Sequence, residues 1–339
     1  MPGFDNRVDT TTLDWLVPKV VDTILRENVF TTAMLAKTEK FKSSTMDFPI
    51  KWTKGVSGTS FSGFDTLPAA ASDTRVYMVY QPRFYAENVA LPGTDLSANN
   101  TAQKVLDLAE IEMRSRAQDC ADDIGNLFYL DGTGNSNKDF LGLAAVVDDG
   151  TNVPTIGNLS RSTYPTLDST VTASGGLLTL LGLRTLYNNI VDGPVQPSAI
   201  YTTRPVGSYY EALLQPQERI MKDVRIAENF KGYTGYKSME YNGMPVLLDR
   251  KCTSGYLFML NEDYLKFYEL PWWDGQEVPV KNSEIVGNQY EEEGGLGFTW
   301  TGWIKPSNAA AVNSFLILGG QLITDNPRRQ AKFTGITGS

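Results

Sequence analysis

The sequence predicts an α+β fold: an N-terminal arm, an extended β-hairpin loop, a long spine helix and a compact α/β domain, closed by a return of strands. Three observations predict it. Residues 46–54 alternate apolar and polar side chains, as in a ribbon with one greasy and one wet face. From Val105 to Phe128 the apolar residues recur at spacings of three and four, the stripe of a long helix. Between about 175 and 290 short apolar runs alternate with helical patterns and turn signals, which marks a compact mixed unit.

The arm covers residues 1–45. Leu13, Leu16, Val20 and Ile24 stand at helical spacing within 12–36. Asp9 or Thr11 is a candidate cap, and Pro18 marks a late start or a kink.

The extended loop spans 46–91. Met46, Phe48, Ile50 and Trp52 face one way, while Asp47, Pro49, Lys51 and Thr53 face the other. Pro49 cannot donate to a ladder, so this is an edge strand or a projecting hairpin. A tip rich in Gly, Ser and Ala runs from Gly55 to Ser72, and the chain returns through 74–80 and 84–91. An isolated ribbon of that length is marginal in water, so it lies on its own domain or on another molecule. Phe61, Phe64 and Leu67 put apolar groups at the tip, which favours the second choice.

Asn99 or Asn100 caps the spine helix 101–130, whose stripe includes Met113, Cys120, Ile124 and Phe128. At 1.5 Å per residue it is about 40 Å long. It ends in a loop dense in turn formers, 131–137. Residues 140–147 read as a strand, and a polar stretch follows to Ser174. The compact domain, 175–290, then carries helices at 177–190 and 205–214 and strands at 198–202, 244–248 and 256–260, with a turn at Asn242-Gly243. The tail holds strands at 297–304 and 312–323 and a short basic end, 326–332.

Composition sets the class. The chain has 339 residues, of which 41% are hydrophobic and 20% charged, enough apolar matter for a core. Its net charge of −9 disfavours a sequence-specific nucleic-acid binder, although a container gains from not gripping its cargo. Histidine is absent, which removes Ser-His-Asp and Cys-His nucleophilic systems and most zinc sites. Cys120 and Cys252 lie far apart and form no CxxC motif; the default is two thiols in a reducing cytoplasm. There is no span for a bilayer and no signal peptide core, so no membrane partner is expected.

Motifs for chemistry are weak. No Gly-Lys pair makes a phosphate loop, and Gly132-x-Gly134 lacks the third glycine of a dinucleotide fingerprint. Asp131, Asn135, Asn137 and Asp139 offer oxygens to a hard cation but are explained by a turn after a helix. Glu291, Glu292 and Glu293, with Trp272, Trp273, Trp300 and Trp303 as sugar platforms, carry a minor carbohydrate-active reading; a solvated charged bend explains the run better. Lys51 and Lys54 are interface cations or merely solvated, and the sequence does not decide. No cofactor, metal or catalytic residue is assigned.

The order of parts, together with Asp131-Gly132-Thr133-Gly134 leading to Gly142-Leu143, then Tyr241-Asn242-Gly243-Met244-Pro245-Val246, then Asn326-Pro327-Arg328-Arg329-Gln330, resembles the tailed-bacteriophage major capsid proteins of the Hong Kong 97-type fold. The resemblance covers nearly the whole chain. It implies that 46–91 lies over a neighbouring subunit and that 92–174 and 291–339 form a peripheral domain around the spine helix. Residues 175–290 would form an axial domain at the five-fold and quasi-six-fold axes. It implies a structural protein, not an enzyme, that assembles in the host cytoplasm into the virion's icosahedral shell. Its partners would be itself as hexamers and pentamers, a portal protein and packaged double-stranded DNA held non-specifically. Because the arm begins almost at Met1, a separate scaffolding protein is implied as well. The residues expected at contacts between subunits are Trp52, Lys54, Phe61, Phe64, Leu67, Arg75, Tyr77, Trp272 and Trp273. An encapsulin-like cellular compartment, which shares this fold, is the rival reading.

Overall fold

A computed structural model describes residues 28–55, 58–66, 73–98, 112, 116, 119–120, 122–214, 239–273, 276–277, 298–307 and 310–338. The expected helix at 12–36 falls mostly outside these, as do residues 101–111 of the spine helix. What is described of the arm is helix α1, Val29–Leu35, with Phe30 and Met34 fully buried. The described part of the spine is helical at 112, 116, 119–120 and 122–127. Cys120, Ile124 and Phe128 from the predicted stripe are fully buried.

Two sheets organise the chain. The first runs β1 (Glu39–Lys40), β12 (Leu265–Glu269), β15 (Ala311–Thr324), β14 (Phe298–Trp300) and β13 (Gln276–Glu277), with β4 (Arg83–Pro92) also on β15. The second runs β7 (Thr170–Leu177), β16 (Ala331–Gly338), β11 (Leu257–Leu260), β8 (Ala199–Thr202), β10 (Met244–Leu248) and β9 (Met239–Tyr241).

Strands β8 and β11 are buried on both faces, which is why they read as unbroken apolar runs. Period-two alternation sorts their side chains between two cores. Tyr201 and Phe258 join Phe30, Phe128 and Phe267 on one face. Ile200 and Met259 meet Leu183, Leu186, Val206 and Tyr210 on the other. Those last four come from helices α5 (Leu180–Ile190) and α6 (Arg204–Leu214). The β9–β10 hairpin turns on Asn242 and Gly243, with φ of 50° and 84°; two positive φ angles make the turn that suits the twist of paired strands.

Several expectations change. Residues 140–147 form no strand; Leu143–Val146 is a helical turn, α4. A short apolar run does not separate strand from buried helix by period alone. Residues 83–92 do not continue the hairpin but pair antiparallel with 311–320, where ten residues of ladder outweigh a longer unsupported ribbon. Residues 331–338, expected with the peripheral strands, insert between β7 and β11 in the second sheet, and 265–269 join the first sheet. The polar stretch before 174 holds the start of β7. Helix α5 therefore begins at Leu180, where the Thr179 hydroxyl accepts the Gly182 N–H at 3.0 Å.

Gly142 enters α4 hard against the spine helix. A Cβ there would lie 2.5 Å from the carbonyl oxygens of both Leu127 and Leu130. Gly142→Ala is expected to cost about 2 kcal/mol, read as a lower urea midpoint; an unchanged midpoint would show that the backbone has room to yield.

Candidate functional site

The ribbon consists of β2 (Met46–Lys51) and β3 (Arg75–Tyr80), paired antiparallel from Met46↔Tyr80 to Lys51↔Arg75. Its inner face packs Met46, Met78 and Tyr80 with Ile156, Leu167 and Ile323 into a small third core. Phe48 adds edge contacts to Tyr80 and Tyr268, at ring distances of 6.2 and 5.2 Å. The outer face carries Asp47, Pro49, Lys51, Arg75 and Tyr77, all exposed. The predicted alternation is therefore real, and the greasy face is used within the chain.

A second hairpin, β5 (Thr155–Ile156) with β6 (Leu159–Ser160), braces the root of the ribbon. The Val79 N–H donates to the Gly157 carbonyl at 2.9 Å. Gly157 has φ of 53°, and a Cβ there would lie 2.7 Å from the Met78 Cβ, so only glycine lets the two backbones approach.

Behind that brace lies a buried ionic hub. The Asp148 carboxylate is fully buried and accepts the N–H groups of Gly150, Asn152 and Val153 at 3.1, 3.1 and 2.9 Å. Lys332 Nζ of β16, also buried, donates to it at 3.0 Å. Burial pushes the Asp148 carboxyl up, but the Val153 N–H, Lys332 and Asn152 outweigh it, and its pKa falls below the ordinary carboxylate value. Arg161, buried next to it, donates to the carbonyls of Asp148 at 2.6 Å, Ala145 at 2.9 Å and Leu167. Burial lowers the Arg161 pKa, while Asp148 and Asp168 pull it back up. The basic tail is thus not a free patch: Lys332 is internal, and Arg329 bridges Asp192 at 3.2 Å and covers the Tyr264 ring.

A second pair of carboxylates holds the arm. Asp249 Oδ2 accepts the Phe30 N–H and the Tyr129 hydroxyl, each at 3.0 Å. Glu262 takes Lys37 at 2.9 Å and the Tyr201 hydroxyl. Cys120 and Cys252 are free and buried, and burial pushes both thiols up, which makes them poor nucleophiles.

The predicted contact residues fall into two separate groups. At the ribbon, Trp52 rests edge-on against Tyr164 at 5.1 Å, half-buried. Lys54, Phe61, Phe64, Arg75 and Tyr77 are exposed, Phe64 completely; Leu67 lies outside the described residues. On the first sheet Trp273 is 82% exposed beside Trp272, which meets Phe84 edge-on at 5.3 Å. Phe84 completes this shelf and is not among the predicted contact residues, although an aromatic ring on the same exposed face of β4 as Ala86, Asn88 and Ala90 is a signal. The Asp148–Lys332 pair left none, because its members are 184 positions apart. Trp300 is buried, edge-on to Trp303, so the four tryptophans do not form one sugar platform. Glu291 to Glu293 lie outside the described residues.

A cleft of about 520 Å³ beside the root is lined by Arg83, Lys138, Asn158 and Gln321 among others. Arg83 Nη1 is held by the carbonyls of Gly132, at 2.7 Å, and Asp139. Among the described residues no three His, Cys, Asp or Glu side chains group to hold a metal, and no helix is long and apolar enough to cross a membrane.

No protein-family model matches the chain, and no curated protein sequence does. Solved structures do match. The cyanophage A-1(L) capsid asymmetric unit superposes with a TM-score of 0.68 at 15% identity, over 91% of this chain and 92% of that one. The holo-SrpI encapsulin complex from Synechococcus elongatus PCC 7942 gives 0.55 at 10% identity, over 88% and 84%. The capsid of the native GTA particle gives 0.53 at 11%, over 90% of both chains. The fold is therefore that of the shell-forming proteins. Within that class it is the Hong Kong 97-type capsid fold, spanning nearly the whole chain.

Asp148→Asn is expected to cost about 3–5 kcal/mol near neutral pH, because it strands the buried Lys332 cation. A carboxyl whose pKa is lowered on folding stabilises the fold above its ordinary value and loses that contribution as pH falls. The gap between wild type and variant in urea melts should therefore shrink below about pH 4. A gap that stayed constant down to about pH 2 would remove Asp148 from this role.

Proposed function

We propose that this protein is the major capsid subunit of a tailed phage, assembling into a closed icosahedral shell around double-stranded DNA. The observation that carries the reading is the capsid fold over about nine-tenths of the chain, joined to a ribbon that is rigid at its root and aromatic at its tip. Its partners are copies of itself in hexamers and pentamers, a portal protein and a separate scaffolding protein, with DNA contacted non-specifically. It works in the virion and assembles in the host cytoplasm, and no catalytic step is assigned to it.

A shell presents one surface to neighbours at several slightly different angles. Weak contacts suffice, because overlapping extensions engage several copies and multivalency raises the whole. Trp52, Lys54, Phe61, Phe64, Leu67, Arg75 and Tyr77 serve this through the ribbon and its tip, and Trp272 and Trp273 through the shelf. In this reading the N-terminal arm is 1–45, the extended loop is the ribbon from 46, the peripheral domain gathers around the spine and the first sheet, with 83–92 and 265–269, and the axial domain gathers around the second sheet, with 331–338.

The encapsulin likeness favours one second reading, a cellular compartment. Particles that protect DNA from nuclease support the phage assignment, whereas particles filled with a protein cargo support the compartment.

Replacing residues 55–72 with a short turn should leave a folded monomer with an unchanged melting temperature and no stable shells by light scattering and negative-stain microscopy. Normal shells from that deletion would remove the loop from assembly.

A further inference from the structure

The cleft of about 520 Å³ beside the ribbon's root is of the size that takes a small molecule. Among the described residues its charged lining consists of Arg83 and Lys138, both cations, with no carboxylate. That bias runs against a chain with 39 acidic and 30 basic residues. Among the described residues neither cation lies in an ion pair. Arg83 is nonetheless fixed in place. Its Nη1 donates to the Gly132 and Asp139 carbonyls, which leaves the Nε–Nη2 edge without a partner among the described residues. Burial outweighs the nearby Asp139 charge and lowers the Arg83 pKa, as for a cation short of counter-charge. Lys138 is exposed, and its ammonium makes no hydrogen bond among the described residues.

Asn137 and Asn158 line the same cleft, and their exposed side-chain amides have no partner among the described residues. Both hold left-handed backbone, with φ of 63° and 60°, and Asn137 ends a run of three such non-glycine residues that starts at Asn135. Backbone of that kind is costly away from glycine, above all in a run, and it gathers at ligand sites. The walls are tied together by the buried Gln321, which accepts the Leu141 N–H at 2.8 Å and donates to the Gln81 carbonyl at 3.4 Å. Pro82, Phe84 and Leu141 add apolar surface. A guanidinium edge, an ammonium and two amides around one space match the double charge and several oxygens of a phosphate monoester better than one carboxylate. We propose that the cleft binds a small phosphorylated molecule, with Arg83 and Lys138 neutralising its phosphate and the Asn137 and Asn158 amides orienting it. The site needs no neighbouring copy and stands independently of the shell-subunit reading.

The test titrates the full chain with adenosine monophosphate, with inorganic phosphate and with a short double-stranded DNA, by calorimetry at about 150 mM salt. Wild type should bind the monophosphate saturably, and inorganic phosphate should compete for the same site. Lys138→Gln should weaken binding roughly ten-fold and leave the melting temperature unchanged. Asn137→Gly/Asn158→Gly should also weaken it and melt close to wild type, since glycine keeps the positive φ. Arg83→Lys keeps the charge but loses the planar fork, so it too should bind more weakly; if it does not fold, the other two variants carry the test. No saturable binding of either phosphate up to about 10 mM overturns the proposal. So does binding that the Lys138 and Asn137/Asn158 variants retain in full. Binding of the duplex alone, lost in Lys138→Gln, assigns the cleft to the DNA backbone and overturns it likewise.

Discussion

One buried carboxylate fixes the relation between parts of the chain that are distant in sequence. Asp148 sits just beyond the helical turn that closes on the spine, and it collects three backbone N–H groups of the turn 150–153 together with the Lys332 ammonium. Burying that charge alone would be prohibitive. Because the carboxylate is satisfied on every side, the turn has one shape. That shape aims the hairpin 155–160, and the hairpin aims the ribbon. Lys332 in turn needs β16 inside the second sheet, so the final strand of the chain sets the direction of an arm that begins near residue 46. Arg161 completes the arrangement by taking up carbonyls at the end of the helical turn.

The ribbon's alternation, the double-faced burial of β8 and β11, and the Asn242-Gly243 turn were legible because each is written in local periodicity or turn chemistry. The partner of β4 was not, because a strand shows which residues face inward but not which strand it joins. The tail misled for a different reason. Lys332 and Arg329 read as a basic end, yet Lys332 is spent on the buried Asp148 and Arg329 on the exposed Asp192 and the Tyr264 ring, and no local pattern separates a buried lysine from a solvated one. The aromatic side chains expected at contacts divide between ribbon and shelf. Phe84 entered the shelf only when β4 was placed in the first sheet.

A capsid fold at 10–15% identity follows from the same division of labour. Cores such as the Phe30, Phe128 and Phe267 cluster ask for apolar residues of suitable volume and tolerate many solutions. The backbone demands are narrower, falling on Gly142 against two carbonyls and on Gly157 at positive φ. At those positions the backbones of this chain approach too closely for a Cβ.

The braced root also makes the ribbon a lever. Six paired residues reach about 20 Å, so a tilt of 10° at the root would swing the far end by about 3.5 Å, roughly the length of one residue. With Met46, Met78 and Tyr80 packed into their own core, little such tilt is available. In the proposed shell, a change in angle between one copy and the next would not be taken up at this braced root. The paired strands act as a rigid boom.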